Sequence, residues 1–276
     1  MRIGIVGHKG RLGSQLVHVG CEPISIQINK TMPKVDFPTR DAVIINCAAK
    51  TEVDRCETDG NYYKEAIQVN GWGIGYLANA YAGEIIHIST DYIFQGKRGA
   101  YHEHALAKDN DLPTKKMSYG LTKMVGEFDA GLHDNVYIVR TTGLYGGTSG
   151  KPDFLSMILD AYKNDVSEIK ATTELRGNQT YVPHLAEALI VCAETKQKPN
   201  ILHIASKDVI SRYEFALMIA DTFGLDKSKV KACKNRDVPG WVAERPKKGG
   251  LVVDVAVKLG LPIYTIQEGL EAYKNE

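Results

Sequence analysis

The chain has 276 residues, and its 34 lysines and arginines against 33 aspartates and glutamates leave a net charge of +1. Hydrophobic residues make up 43% and charged residues 24% of the sequence, which is typical of a folded globular protein and excludes global disorder. A near-neutral chain without a clustered basic stripe gives no electrostatic reason to bind nucleic acid or an anionic membrane, so we expect a small-molecule partner instead.

The chain begins with a short apolar run, Ile3 to Val6, which is followed by glycines and basic residues. This run is too short for a signal peptide or a membrane anchor, and we expect a buried strand. The five cysteines are odd in number and contain no C-x-x-C pair, which favours reduced thiols and argues against structural zinc. We therefore expect a cytoplasmic protein that holds no metal.

Short runs rich in isoleucine and valine recur at residues 3–6, 24–28, 43–47, 85–88 and 136–139. Most of them are separated by segments long enough for helices, which predicts βαβ units. Their apolar residues are consecutive, as strands covered on both faces of a parallel sheet require. The link between the second and third runs contains two prolines and little apolar periodicity, so we predict a loop there instead of a crossover helix.

The second half of the chain is patterned differently and predicts a separate core. Its helix-start signals are Pro183 and the capping-box pair of Ser211 and Glu214. We predict an α/β fold with a Rossmann-type, doubly wound parallel sheet. Residues 1–141 form the dinucleotide-binding core, residues 142–276 mainly form a smaller C-terminal substrate-binding subdomain, and part of 165–205 returns to the core.

A glycine-rich loop, Gly7-His8-Lys9-Gly10-Arg11-Leu12-Gly13, follows the first predicted strand. Its spacing permits a tight turn and the close approach of a pyrophosphate to a helix N-terminus. The second predicted strand ends without the acidic residue that usually selects NAD. Lys9, Arg11 and Lys30 could meet a 2′-phosphate, the alternative being that they are solvated surface charges. We expect NADPH as the cofactor, with NADH as the alternative.

Tyr119 and Lys123 lie four residues apart on a predicted helix, which places the phenol and the ammonium on one face. Thr90 follows the fourth predicted strand, at the sheet edge where open α/β folds bind ligands. Reduction of a ketone needs a hydride donor and an acid, and we expect Tyr119 to be that acid. Lys123 is expected to lower the pKa of the phenol and to hold the nicotinamide ribose. Thr90 is expected to orient the carbonyl or, alternatively, to bond the backbone.

Several motifs in this order resemble the extended short-chain dehydrogenase/reductase superfamily, most closely the dTDP-4-dehydrorhamnose reductase family. The motifs are the glycine loop, Asn46-Cys47-Ala48-Ala49-Lys50-Thr51 with Val53-Asp54, Val69-Asn70, STDYIF from Ser89, YGLTKMVGE from Tyr119, RTTGLYG from Arg140, Thr180-Tyr181-Val182-Pro183 and Arg245-Pro246. The resemblance implies that Thr90, Tyr119 and Lys123 are catalytic and that Thr90 and Asp91 face a sugar. It also implies that 10–12 and 49–51 line the cofactor, a set that we extend to Gly7, Lys9, Gly13, Lys30, Cys47 and Ala48.

The expected activity is reduction of the 4-keto group of a nucleotide-linked deoxysugar, and two departures from the family pattern affect the substrate site. Gly143 stands where the family generally has tryptophan, so we expect additional space for the sugar. The segment Arg245-Pro246-Lys247-Lys248-Gly249 is more basic than the family pattern, and Arg245 could bind a diphosphate or belong to a solvated surface loop. Glu103 could act with Asp91 beside the substrate or form part of a polar rim.

Two other functions stay open at this point. One is a nucleotide-sugar 4-epimerase of the same superfamily, and the other is a non-enzymatic, NADP-binding regulatory subunit resembling the β subunit of methionine adenosyltransferase. A 4,6-dehydratase is disfavoured because Thr90-Asp91-Tyr92 lacks the glutamate that would serve as the acid for dehydration. We expect a homodimer.

Overall fold

The computed structural model describes residues 1–28, 33–105, 111–149 and 151–276. Its strands are β1 (Arg2–Val6), β2 (Glu22–Ile24), β3 (Ala42–Asn46), β4 (Glu84–Thr90), β5 (Val136–Thr141), β6 (Ile169–Thr172), β7 (Arg176–Gly177), β8 (Ile201–His203), β9 (Ile210–Ser211) and β10 (Val230–Cys233). Its α-helices are α1 (Arg11–His18), α2 (Val53–Thr58), α3 (Gly60–Ala66), α4 (Gly73–Ala80), α5 (Ser118–Ala130), α6 (Phe154–Lys163), α7 (Val182–Glu194), α8 (Arg212–Thr222), α9 (Asp254–Lys258) and α10 (Ile266–Lys274). A π-helical stretch, Ile67–Trp72, joins α3 to α4.

The main sheet has six parallel strands in the order β2-β1-β3-β4-β5-β8. The chain leaves β1 on one side to form β2 and returns on the other side to form β3, so the strand order reverses at β1. Val6 lies opposite Asn46, and the loops that follow β1 and β3 are therefore neighbours at one edge of the sheet. Open α/β sheets bind ligands in the crevice at such a reversal. The predicted Rossmann-type parallel sheet is confirmed.

Two hydrophobic cores divide the chain. The first belongs to the main sheet, where one cluster that includes the fully buried Ile5, Ile45 and Leu189 covers one face and another that includes the fully buried Ile44 and Leu77 covers the opposite face. The second core is formed by α6, α8, α10, β6 and β10, and Phe215 and Ile219 are fully buried in it. We call these five elements, together with the β7–β9 hairpin, the second lobe. Each such side chain contributes about 1.5–3 kcal/mol through burial, so both cores are substantial. β8 belongs to the main sheet although it lies late in the chain.

The predicted helix starts in the second half are confirmed by their caps. The Ser211 hydroxyl accepts a hydrogen bond from the backbone N–H of Glu214 at 3.1 Å, and a carboxylate oxygen of Glu214 accepts one from the backbone N–H of Ser211 at 2.6 Å. Pro183 lies in the first turn of α7. A capping box satisfies two backbone donors that a helix otherwise leaves unpaired, which is why these starts can be read from the sequence.

The second strand differs from its prediction. Residues 24–28 were expected to form it, whereas the structure has only Glu22–Ile24. Pro23 lacks a backbone N–H and is compatible only with an edge position, and β2 is at the edge of the sheet. Residues 33–41 form no helix, as predicted for the described part of that link.

The five cysteines, all within the described residues, are free thiols. In the same residues, no helix has both the length and the apolar character that crossing a bilayer requires. The described ranges also contain no cluster of three or more histidine, cysteine, aspartate or glutamate side chains that could hold a metal ion.

Candidate active site

A cleft of ≈ 580 Å³ lies at the carboxyl edge of the main sheet. It is lined by the glycine loop, the loop after β3, the end of β4, the start of α5 and the chain after β5. The predicted site residues that line it are Lys9, Gly10, Arg11, Leu12, Cys47, Ala49, Thr51, Thr90, Tyr119 and Lys123. The fold therefore brings the proposed cofactor loop and the proposed catalytic residues into one cleft.

The glycine loop is shaped for a dinucleotide phosphate. Gly7 has a φ of +79°, and a Cβ there would lie 2.4 Å from the backbone nitrogen of Ala48. A Cβ on Gly13 would lie 2.3 Å from the Gly7 carbonyl oxygen, so both residues pack the loop against its neighbours without lining the cleft. Gly10 precedes α1, and within the described ranges no side chain caps this helix, which leaves the N–H groups of its first turn for an anion. This donor set fits a pyrophosphate.

The three cations expected at a 2′-phosphate have different environments. Lys9 lines the cleft. The Arg11 guanidinium instead donates to the Asp153 carboxylate and to the Gly146 carbonyl oxygen, both at 2.8 Å, and also to the carbonyl oxygen of residue 151. It is therefore engaged by the loop that leads into the second lobe and is not free for a phosphate. Lys30 lies outside the described residues.

The loop after β3 is held by Asn70, which lies in the π-helical stretch. Its side-chain oxygen accepts from the backbone N–H of Lys50 at 2.8 Å, and its amide donates to the Lys50 carbonyl oxygen at 2.9 Å and to Thr122 at 3.0 Å. The Lys50 ammonium pairs with Glu65 at 2.6 Å and does not line the cleft. Asn70 thereby fixes the backbone of this loop to α5, the helix that carries Tyr119 and Lys123.

Lys123 is a buried cation, and its side chain is 2% exposed. Its ammonium donates to the Ile88 carbonyl oxygen at 2.6 Å. Burial lowers the pKa of Lys123 to about 8, although the negative charge of Glu127 opposes this shift. The group is therefore charged at neutral pH but close to its titration range.

Glu127 belongs to a buried ion pair beneath Lys123. Two nitrogens of the Arg140 guanidinium bind its carboxylate at 2.7–2.9 Å, and Ser89 donates a hydrogen bond to it at 2.5 Å. Because Ser89 also lines the cleft, the pair connects the catalytic helix to β4 and β5. Removing one partner of such a pair leaves an uncompensated buried charge.

The Tyr119 ring packs edge-on against Tyr92, with ring centroids 5.6 Å apart. Burial raises the pKa of the Tyr119 phenol, and the neighbouring Tyr92 and Asp91 raise it further. The expectation that Lys123 lowers this pKa is wrong, because burial and negative neighbours dominate and the ammonium is turned to the Ile88 carbonyl. The phenol consequently keeps its proton throughout the neutral range.

Thr90 ends β4 and lines the cleft, whereas Asp91, the next residue, is buried and is not among the residues that line it. The Thr90 hydroxyl accepts a hydrogen bond from the Tyr92 N–H at 3.3 Å and donates one to Asp91 at 3.4 Å. It therefore bonds the local backbone, which was the alternative expected for Thr90, and it also lines the cleft. Asp91 is buried, and burial raises its pKa to about 6 against hydrogen bonds from Thr142 and Thr90. Thr141 lies opposite Thr90 across the β4–β5 ladder, and its buried hydroxyl has no hydrogen-bond partner among the described residues. Thr141 was missed from the sequence, although its strand-end position was the available signal.

Two further predicted substrate residues, Glu103 and Arg245, also lie away from this cleft. Glu103 lines a separate cavity of ≈ 380 Å³, where its backbone carbonyl accepts from Arg140 at 2.8 Å. Arg245 lines a neighbouring cavity of ≈ 710 Å³. Its guanidinium makes two bonds to Asp54, at 3.1 and 2.5 Å, and stacks 3.9 Å from the centre of the Trp241 ring. Its side chain is buried in this ion pair and is not a solvated surface charge.

Gly143 lines the cleft but does not enlarge it. Its φ is +63°, and a Cβ there would lie 2.4 Å from the carbonyl oxygen of Asn178 and 2.9 Å from the side-chain oxygen of Gln179. These two residues occupy the direction a side chain would take, so the expectation of open space at Gly143 is wrong.

The profile of the family described as "RmlD substrate binding domain" matches residues 1–276. Among the relatives, a dTDP-4-dehydrorhamnose reductase from Mycolicibacterium smegmatis is 31% identical over 284 residues, which cover 98% of this chain and 84% of that protein. The β subunit of methionine adenosyltransferase 2 from Bos taurus is 26% identical over 290 residues, covering 94% of this chain and 83% of that protein.

A solved structure supports the same relationship. The crystal structure of dTDP-4-dehydrorhamnose reductase from Bacillus anthracis in complex with NADP superposes with a TM-score of 0.82 at 27% identity. The superposition covers 99% of this chain and 98% of that one. The similarity therefore extends over both the main sheet and the second lobe.

Proposed function

Because the chain belongs to the family of the RmlD substrate binding domain, we propose that it is an NADPH-dependent reductase of the 4-keto group of a nucleotide-linked deoxysugar, of the dTDP-4-dehydrorhamnose reductase type. The observation that carries the proposal is the meeting of Thr90, Tyr119 and Lys123 with the glycine loop in one cleft. The net reaction converts a ketone to an alcohol, with a hydride added to carbon and a proton to oxygen.

The cofactor would be held by groups on both sides of the strand reversal. The first-turn N–H groups of α1 would bind its pyrophosphate, and the backbone of 49–51 would line the opposite wall. Lys123 would donate to the nicotinamide ribose, and Lys9 is a cation of the glycine loop that lines the same cleft. When bound, NADPH supplies the hydride.

Tyr119 would donate the proton. Its raised pKa keeps the phenol protonated at neutral pH, so the donor is ready without prior activation. Thr90 offers a hydroxyl on the same wall of the cleft, and it would hydrogen-bond the substrate carbonyl and orient it toward Tyr119.

No specific observation favours the other two functions. The relative that is a methionine adenosyltransferase subunit is less similar than the mycobacterial reductase, 26% against 31% identical. An epimerase would keep its cofactor through turnover, whereas a reductase consumes one NADPH for each product. We further propose a cytoplasmic location, in keeping with the free thiols, and a homodimer that light scattering would detect.

The direct test mixes the purified protein with NADPH and dTDP-4-dehydrorhamnose and follows the absorbance of the reduced cofactor. We expect stoichiometric oxidation of NADPH and formation of the 4-hydroxy sugar nucleotide. The same assay with other nucleotide-linked 4-keto sugars identifies the preferred substrate. If none of them accelerates NADPH oxidation while NADPH still binds, the proposed reductase activity is wrong.

A further inference from the structure

The cavity of ≈ 380 Å³ that contains Glu103 lies between α5 and the last two strands of the main sheet, β5 and β8. Its volume is within the range of about 300–1,000 Å³ that is usual for small-molecule sites. The described residues that line it include none of those that line the active-site cleft. The two spaces meet only through the wall between them, where Ser89 of the cleft bonds Glu127 of the cavity at 2.5 Å.

The carboxylate of Glu103 is an unsatisfied group on the wall of this cavity. Glu103 is 5% exposed, and its Oε1 atom has no hydrogen-bond partner among the described residues. Arg140 lines the same cavity but does not compensate this charge, because its guanidinium binds the Glu127 carboxylate and the backbone carbonyl oxygen of Glu103. A buried carboxylate is costly unless a hydrogen-bond donor or a cation meets it. The cavity therefore offers an acceptor to a ligand that carries such a donor.

Much of the remaining wall is apolar. Met124 and Phe128 contribute from α5, Val136 and Ile138 from β5, and Ile201 from β8. Ile138 and Ile201 lie opposite each other in the β5–β8 ladder, so they form a continuous apolar surface. The other described lining residues are His104, Leu112, Gly131, His133, Asp134 and Asn200. Apolar walls with a few polar groups are typical of sites for small organic molecules.

We propose that this cavity is a second binding site and that it takes a small organic cation, an ammonium group carried on an apolar or aromatic body. The ammonium would donate to the Glu103 carboxylate, and the body would cover the apolar side chains of α5, β5 and β8. An anion is disfavoured, because Glu103 and the exposed Asp134 repel it and the charge of Arg140 is matched by Glu127. A metal ion is disfavoured because the described ranges contain no suitable cluster of ligands. The inference does not depend on the proposed function.

The test uses phenylethylamine, with phenylethanol and phenylpropionate as neutral and anionic probes of similar shape. The protein carries ¹³C-methyl-labelled methionine, and the signal of Met124, assigned with Met124→Leu, reports on the cavity. We expect a saturable shift of this signal with the amine, and binding of the alcohol and the acid about 10- to 100-fold weaker, the range for losing a charged hydrogen bond. The signal of Met157, which is 60% exposed on α6, should not move. NADPH should not displace the amine, because the two spaces have separate walls.

Three variants connect the binding to the cavity. Glu103→Gln should weaken amine binding by about 10- to 100-fold and leave the binding of phenylethanol unchanged. Its thermal stability should not fall, because the change removes an uncompensated buried charge. The matched control Asp134→Asn neutralises an exposed carboxylate of the same cavity and should weaken amine binding by less than about threefold. Ile201→Phe fills the cavity without touching a charge and should abolish the binding of all three probes.

Four results would overturn the inference. They are equal affinity for the three probes, no shift of the Met124 signal up to the solubility limit of the amine, wild-type amine affinity in both Glu103→Gln and Ile201→Phe, and displacement of the amine by NADPH. A loss of thermal stability in Glu103→Gln, together with lost binding of phenylethanol, would also overturn it, because Glu103 would then support the fold instead of a ligand.

Discussion

The buried ammonium of Lys123 should make NADPH binding depend on pH just above neutrality. Burial lowers the pKa of Lys123 to about 8, so a modest rise in pH is enough to remove the charge of its ammonium. In the free protein the ammonium is about 90% charged at pH 7 and about 10% charged at pH 9, since one pH unit changes the ratio tenfold. A cofactor that needs this charge should bind less tightly across that interval.

The size of the effect follows from the interaction that is lost. A hydrogen bond from a charged donor to a ribose hydroxyl is worth about 1.5–3 kcal/mol, which would raise the pKa of Lys123 in the complex by about 1–2 units. The complex then holds the proton more tightly than the free protein does. Affinity is therefore full below about pH 8 and should fall about tenfold per pH unit until about pH 9–10, a total of about 10- to 100-fold.

Titration of NADPH fluorescence at a series of pH values would measure this. Lys123→Met should bind NADPH weakly at every pH and lose the slope. Tyr119→Phe is the matched control, and it should keep the wild-type curve because the raised pKa of the Tyr119 phenol places its titration above this interval. A wild-type affinity that is flat between about pH 7 and pH 10, or a slope that survives in Lys123→Met, would refute the reasoning.

Three further substitutions test the site and its support. Tyr119→Phe should lower kcat by about 10²- to 10⁴-fold with NADPH affinity preserved, and steady-state turnover near the wild-type rate would exclude Tyr119 as the proton donor. Gly13→Ala would place a Cβ 2.3 Å from a backbone carbonyl oxygen. Such overpacking costs about 1–3 kcal/mol, so the free energy of unfolding measured in urea and the affinity for NADPH should both fall. The control is Gly60→Ala, whose added Cβ has no atom of the described residues within 4 Å apart from its own helix and chain neighbours, and equal effects of the two changes would contradict the packing argument. Glu127→Gln leaves Arg140 buried without its counter-charge and should lower the free energy of unfolding by about 3–5 kcal/mol in urea denaturation, whereas an unchanged midpoint would show that the pair is dispensable.

The parts of this fold that could be predicted from the sequence are those set by neighbouring residues. A capping box needs only Ser211 and Glu214, which are three positions apart. A run of consecutive apolar residues predicts a buried parallel strand, as in β3. The glycine loop and the spacing of Tyr119 and Lys123 are likewise local patterns, which is why most of the predicted lining residues lie in the cleft.

The features that were missed depend on contacts between distant segments. Gly143 is crowded by Asn178 and Gln179, whose position no pattern around residue 143 reveals. The pKa of Tyr119 rises because folding buries the ring beside the end of β4, and the helix spacing alone suggested the opposite direction.

The contacts of Arg11 also bear on how the protein would release its spent cofactor. Arg11 begins α1 yet bonds Asp153, which caps α6, and the Gly146 carbonyl oxygen. The loop that would bind the pyrophosphate is thus latched to the segment that leads into α6, and separating the two halves from this side must break these bonds together with the one to the carbonyl oxygen of residue 151. In a reductase, which exchanges its cofactor in every cycle, this latch ties the exit of NADP⁺ to the opening of the substrate side. Weakening it should speed product departure and shorten the residence of both ligands.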